Sequence, residues 1–193
     1  MFKKSLPYFG LALGIILIDQ IIKLSVHFFM QPGFIGEISI IGDFFKLHYT
    51  LNQGMAFGMQ FGVEYGKLIL TIFRIIAVGF IGYGLFHFTK KGSSKGLIIS
   101  IALILGGAIG NLVDSIFYGV FLNNSPYDAI SPWFHGQVID MFFFDFYQGY
   151  LPEWLPFLGG TYYSTPIFNF ADAAIFCGVV NLIIFQKKYF KID

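Results

Sequence analysis

LPYFGLALGIILIDQIIKLSVHFF, residues 6–29, decides what kind of fold this chain adopts. The run is apolar almost throughout and exceeds the ~20 residues a helix needs to cross a bilayer core. Three more apolar runs follow, near residues 67–88, 97–117 and 166–185. None of the four has the polar half that a helix covering a soluble core would carry. Of 193 residues, 56% are hydrophobic and only 12% charged, and the mean hydropathy is +0.71; globular chains average about 25% charge. The reading is an all-α integral membrane protein, a single domain over residues 1–193 with four transmembrane helices. Lys3, Lys4 and the first apolar run resemble a signal peptide. The run continues past Asp19 and Lys23 without a small-residue cleavage site, so it reads as a span.

The net charge of +1 says little, but its distribution orients the chain. Basic residues cluster at Lys3 and Lys4, at Lys90, Lys91 and Lys95, and at Lys187, Lys188 and Lys191. From Gly96 to Gln186 there is no Lys or Arg. With four spans, all three clusters share one side, and the positive-inside bias makes it cytoplasmic. Loops 30–66 and 118–165 then face outward. In the first, Phe45, Leu47, Tyr49 and Leu51 alternate with Lys46, His48, Thr50 and Asn52, the period of a half-buried strand. A small extracytoplasmic β-structure is therefore expected, resting on the membrane. The second loop is rich in aromatics and prolines and forms an extracytoplasmic subdomain, with YLPEWLPFLGG as an interfacial segment. Asp140 reads as the end of a loop. Thr165-Pro166 reads as the N-cap and first-turn proline of the fourth span. Cys177 reads as a buried free thiol in that span. Gly106 and Gly110 form a small-xxx-small face for close helix packing.

Polar residues inside the spans carry the functional signal, because an ionised group in hydrocarbon costs roughly 2.5–3.5 kcal/mol on the gentlest scale. Asp19 and Lys23 come late in the first span, Arg74 early in the second, Asn111 and Asp114 late in the third, and Asn169 and Asp172 early in the fourth. At ~1.5 Å per residue, all reach the same outer depth, which implies a polar pocket just below the outer surface. Two carboxylates held close together share a proton: one is left basic enough to activate water, the other acidic enough to protonate a leaving amine. Asp19, Asp114, Asp140 and Asp172 are all candidates for such a pair, with Asp145 a weaker fifth. The alternative is a proton-coupled transporter, which usually carries its carboxylates near the midplane and shows internal repeats. The chain shows neither feature.

Five motifs in order resemble the signal peptidase II (lipoprotein signal peptidase) family over nearly the whole chain. They are D-x-x-x-K (Asp19, Lys23), N-x-G-x-A-F (Asn52, Gly54, Ala56, Phe57), G-N-x-x-D (Gly110, Asn111, Asp114), V-x-D (Val138, Asp140) and F-N-x-A-D (Phe168, Asn169, Ala171, Asp172). The resemblance implies an aspartic endopeptidase with Asp140 and Asp172 as its dyad, supported by Asp19, Lys23, Asn52, Gly54, Asn111, Asp114 and Asn169. It implies diacylglyceryl-modified bacterial prolipoproteins as substrates, cut before the lipobox cysteine. It also implies globomycin-type inhibitors, a monomer in the bacterial inner membrane in contact with lipid, no nucleic acid, and no metal or other cofactor. Two departures stand out. The family usually has Arg after the G-N-x-x-D aspartate, where this chain has Ser115, and Arg74 is expected to compensate. The family's link to V-x-D is usually shorter, and the extra residues 119–137 are expected to form a lid or rim.

Overall fold

A computed structural model describes residues 4–53 and 65–190. Helices α1 (Leu6–Phe29), α2 (Gly66–Lys91) and α3 (Lys95–Val113) come first, separated after α1 by strands β1 (Ile38–Ile41) and β2 (Phe45–Asn52). Past α3 the helix continues through a π turn, Asp114–Tyr118, and a short α4, Gly119–Phe121. Strands β3 (Val138–Phe144), β4 (Gln148–Tyr150), β5 (Tyr162–Ser164) and β6 (Ile167–Phe168) precede α5 (Phe170–Ile184) and α6 (Gln186–Phe190). Three helical stretches, Leu6–Phe29, Gly66–Lys91 and Lys95–Phe121, are long and apolar enough to cross a membrane, and Phe170–Ile184 is a shorter apolar helix.

α3 is the hub and packs against α1, α2 and α5. Small residues make this possible. A Cβ on Gly106 would lie 2.9 Å from the Ala12 carbonyl oxygen, and one on Gly110 would lie 2.7 Å from Asp19 Oδ2. The GxxxG face is thus a packing face, as its spacing implies. Ala12, Leu85, Leu97, Ile98, Ile101, Ala102 and Leu105 form the buried cluster between the helices. A second cluster, Val26, Tyr49, Tyr118, Ile139 and Met141, fastens the sheet to the helix ends.

The main sheet is antiparallel in the order β1-β2-β3-β6, and β4 and β5 form a separate hairpin. β2 runs over the residues whose alternation announced it. Its pairing with β3 shifts register between Leu47 and Thr50, where His48 and Tyr49 are both buried. Such a shift lets consecutive side chains turn inward. On one face Lys46 of β2 pairs with Glu37 at 3.3 Å and Asp145 at 3.2 Å, and His48 Nδ1 lies 2.7 Å from Glu37 Oε2. Those partners hold the Glu37 and Asp145 carboxyls below their usual range: side-chain hydrogen bonding by His48 and Lys46 outweighs desolvation at Glu37, and bonding from Gln148 leads at Asp145.

Several expectations are corrected. Asp140 does not end a loop; it lies inside β3, the strand between β2 and β6. Segment 118–165 holds β3, β4 and β5, so the β-structure is larger than the one alternating run suggested. The last apolar helix begins at Phe170 rather than Pro166, because Ile167 and Phe168 pair with Phe143 and Phe142 of β3. Asn169, not Thr165, is the N-cap; its side chain accepts from the Asp172 backbone N–H at 2.9 Å in a capping box. Cys177 is exposed on α5, not buried. Gly54, Ala56 and Phe57 lie outside the described residues.

Candidate active site

The site is built where α1, the end of α3, β3 and the start of α5 meet. Each element delivers its polar residue for a local reason. In α1, Asp19 and Lys23 stand one turn apart on the face toward α3, with Lys23 Nζ 2.9 Å from Asp19 Oδ2. The same ammonium lies 2.8 Å from Asp114 Oδ2 and donates to Asn111 Oδ1 at 2.9 Å. Lys23, Asp19 and Asp114 are fully buried. Backbone donors add to the network: Ala171 N–H donates to Asp19 Oδ1 at 2.9 Å, and Ile139 N–H to Asp114 Oδ2 at 3.3 Å. This one cation therefore ties together α1, the π turn, β3 and the first turn of α5.

From that buried base an asparagine bridge leads to the two aspartates of the V-x-D and F-N-x-A-D motifs. Asn111 Nδ2 donates to Asp172 Oδ1 at 2.7 Å. Asn169 Nδ2 donates to Asp140 Oδ1 at 2.6 Å and to Asn111 Oδ1 at 3.1 Å. Asn52, at the end of β2, donates to the other Asp140 oxygen at 2.9 Å. Asn111 and Asn169 each spend the side-chain carbonyl on the scaffold and the amide on a carboxylate, which fixes both orientations. Burial, and next the nearby Asp172 charge, push the Asp140 carboxyl up to about 7, against the pull of the Asn52 and Asn169 donors and Lys23. A carboxyl near neutrality beside a second one is the arrangement from which general acid and base are drawn.

Arg74 reaches the same region from α2, donating to Ser115 Oγ at 2.8 Å, while Ser115 Oγ donates to the Asn111 carbonyl at 3.0 Å. Ser115 on the π turn thus receives a guanidinium from the neighbouring helix. Residues 119–137 include a clasped loop: Asn124 and Gln137 exchange three hydrogen bonds, at 3.0, 3.2 and 2.9 Å. Phe134 and Gly136 N–H donate to the carbonyls of Ile116 and Ser115 on the π turn, at 3.2 and 3.0 Å. The loop is strapped along the Asp114 turn, at the side of the site.

All the described candidates except Asp145 thus converge: Asp19, Lys23, Asn52, Arg74, Asn111, Asp114, Asp140, Asn169 and Asp172. Asp145 follows the end of β3 and pairs with Lys46 of β2, apart from this network. Two further residues were not singled out from sequence. Gln20 Nε2 donates to Asp114 Oδ1 at 2.9 Å and Asp19 Oδ2 at 3.2 Å, and Tyr118 O–H donates to Gln20 Oε1 at 2.8 Å. Gln20 carried a signal, being an amide inside an apolar run next to Asp19; Tyr118 is one aromatic among many.

Comparison with known proteins agrees with this architecture. The family described as Signal peptidase (SPase) II matches residues 11–187. The lipoprotein signal peptidase of Amoebophilus asiaticus is 50% identical, covering 97% of this chain and 80% of that protein. That of Porphyromonas gingivalis is 38% identical over 88% of this chain and 78% of its own length. A bacterial membrane enzyme solved by the in meso method shares the fold, with a TM-score of 0.62 at 23% identity over 97% of this chain and 92% of that one. The match spans the helices, the sheet and every element of the polar network, and the chain belongs to the signal peptidase II family.

Proposed function

We propose that the chain is a membrane aspartyl endopeptidase that removes signal peptides from diacylglyceryl-modified bacterial prolipoproteins, cutting before the lipobox cysteine, with Asp140 and Asp172 as the dyad. The observation that carries this reading is the Asn111–Asn169 bridge, which joins the two carboxylates and leaves each within the other's field. One proton is shared by the pair. The ionised carboxylate takes a proton from water as the water oxygen bonds to the scissile carbonyl carbon. The protonated partner gives its proton to the carbonyl oxygen, forming a gem-diol. In collapse, a gem-diol hydroxyl returns its proton to the dyad while the amide nitrogen receives one. The C–N bond breaks, freeing the signal peptide acid and the amine of the lipid-bearing cysteine.

The surrounding residues have supporting roles. Asn52, Asn111 and Asn169 aim the carboxylates, Asp19, Lys23 and Asp114 hold the elements together, and Arg74 supplies positive potential in place of the Arg absent at Ser115. In the membrane, α5 acts as the fourth span of a single domain, with both termini cytoplasmic and the site near the outer face of the bacterial inner membrane. Burial against lipid lets the diacyl chains of a substrate remain in the bilayer while its peptide reaches the dyad. Globomycin-type inhibitors would compete there, and the enzyme acts as a monomer without a metal.

The test is cleavage of a diacylglyceryl-modified prolipoprotein by the purified protein in detergent, beside Asp140→Asn and Asp172→Asn. Cutting before the modified cysteine by wild type alone, with both variants folded, supports the reading. Cleavage by either variant refutes the dyad.

A further inference from the structure

Helix α2 is held to the rest of the protein unevenly. Toward its C-terminal end Leu85 enters the core between the helices. Its first half instead presents a polar edge, Lys67, Thr71 and Arg74, at one-turn spacings along one face. Thr71 Oγ1 donates to the Phe134 carbonyl at 2.9 Å, Arg74 Nη1 to Ser115 Oγ at 2.8 Å, and Lys67 Nζ to the Gln53 carbonyl at 2.8 Å. The last contact bears directly on the dyad. Gln53 follows Asn52, whose backbone pairs with Val138 and whose side chain donates to Asp140 at 2.9 Å. The Lys67 ammonium is also attracted by Asp140 on β3 and by Asp114 on the π turn, and is opposed by Arg74 on its own helix. Asp140 additionally feels Asp172 from α5 and Lys23 from α1.

We propose that Lys67 is a positioning residue of the reaction: it grips the Gln53 carbonyl so that Asn52 stays on Asp140, and its charge favours the ionised form of the dyad. The proposal rests on the proteolytic reading above. A lysine that only anchored α2 would affect stability but would leave the acid–base behaviour of the dyad unchanged. A cation lost from near a carboxylate makes that carboxylate easier to protonate, so the acid limb of the pH–rate profile moves to higher pH.

The experiment uses the full chain in detergent with a diacylglyceryl-modified prolipoprotein, comparing wild type, Lys67→Met, Lys67→Gln, Lys67→Arg, Asn52→Ala and the Lys67→Met/Asn52→Ala double variant. Lys67→Met is expected to lower kcat about tenfold with KM changed less than about twofold, and to raise the acid limb by about half a pH unit. Lys67→Arg, which keeps donor and charge, should recover to within about threefold of wild type. If the grip acts through Asn52, the double variant falls no more than about twofold below Asn52→Ala alone. Lys67→Gln keeps a donor without the charge, so it retains the limb shift even if Lys67→Met fails to fold. An unmoved acid limb in these variants, or fully multiplicative losses in the double variant, overturns the proposal. Wild type that does not cut, or Asp140→Asn that does, would instead sink the proteolytic reading, so the two failures are distinguishable.

Discussion

Replacing Lys23 by Met removes a cation that meets two carboxylates at 2.9 and 2.8 Å and an asparagine oxygen at 2.9 Å, all without access to solvent. Methionine fills a similar volume, so the loss is electrostatic rather than one of packing. Asp19 and Asp114 keep donors from Ala171, Ile139 and Gln20, but the local formal charge falls from −1 to −2. Breaking a buried ion pair from one side costs about 3–5 kcal/mol. For a protein of this length each kcal/mol moves Tm by about 2–4 °C, so the expected drop is roughly 6–20 °C. Because the same ammonium joins four elements, cleavage should fall with it. The assay is thermal unfolding in detergent, with Lys23→Met/Asp114→Asn as the control. That double variant restores the local charge to −1 and should regain at least about half of the lost Tm. A Lys23→Met protein melting within about 2 °C of wild type would refute the reasoning, since the triad would then contribute nothing measurable.

Other outcomes follow from neighbouring contacts. Asp140 is held near 7 when folded, against a usual value of 3.8. Folding therefore binds a proton between those values, and stability attributable to this group declines as pH rises through that window. At ~1.36 kcal/mol per pH unit the decline approaches about 4 kcal/mol, so Asp140→Asn should gain stability relative to wild type from pH 4 to pH 8 in paired melts. Asn169→Ala loses both the α5 cap and the donor to Asp140, costing about 1–2 kcal/mol together with most activity. Asn169→Ser should restore melting but not cleavage, which separates the two roles. Gly110→Ala drives a methyl to 2.7 Å from Asp19 Oδ2 and 3.2 Å from Ala171 Cβ; a loss of about 1–3 kcal/mol and reduced cleavage are expected. If Arg74 replaces the charge absent at Ser115, Arg74→Met should reduce kcat about tenfold or more, and adding Ser115→Arg should recover part of it.

How far the sequence reaches can be judged element by element. Long apolar runs and their charged flanks identify α1, α2 and α3 without tertiary information, because a helix in hydrocarbon satisfies its own backbone and need only be apolar and long. The α1 limits at Leu6 and Phe29 coincide with the apolar run itself. The polar residues inside those runs were equally legible, since each is costly alone and all lie at one depth. The alternation over residues 45–52 announced β2 for the same kind of local reason.

Other features depended on partners distant in the chain. Val138–Phe144 has no alternation, because this strand lies between β2 and β6 and is buried over most of its length. That is why Asp140 read as a loop residue. The Thr165-Pro166 pair is a sound local helix start, but the pairing of Ile167 and Phe168 with β3 displaces it to Asn169. Sequence alone left four carboxylates open as the pair. Tertiary packing gives them different surroundings: Asp19 and Asp114 meet a lysine, whereas Asp140 and Asp172 accept from asparagine amides. Local pattern determines which segments enter the membrane and where their polar groups sit; only the three-dimensional contact between distant segments decides which charge neutralises which, because that depends on separations of a few ångströms that no spacing along the chain encodes.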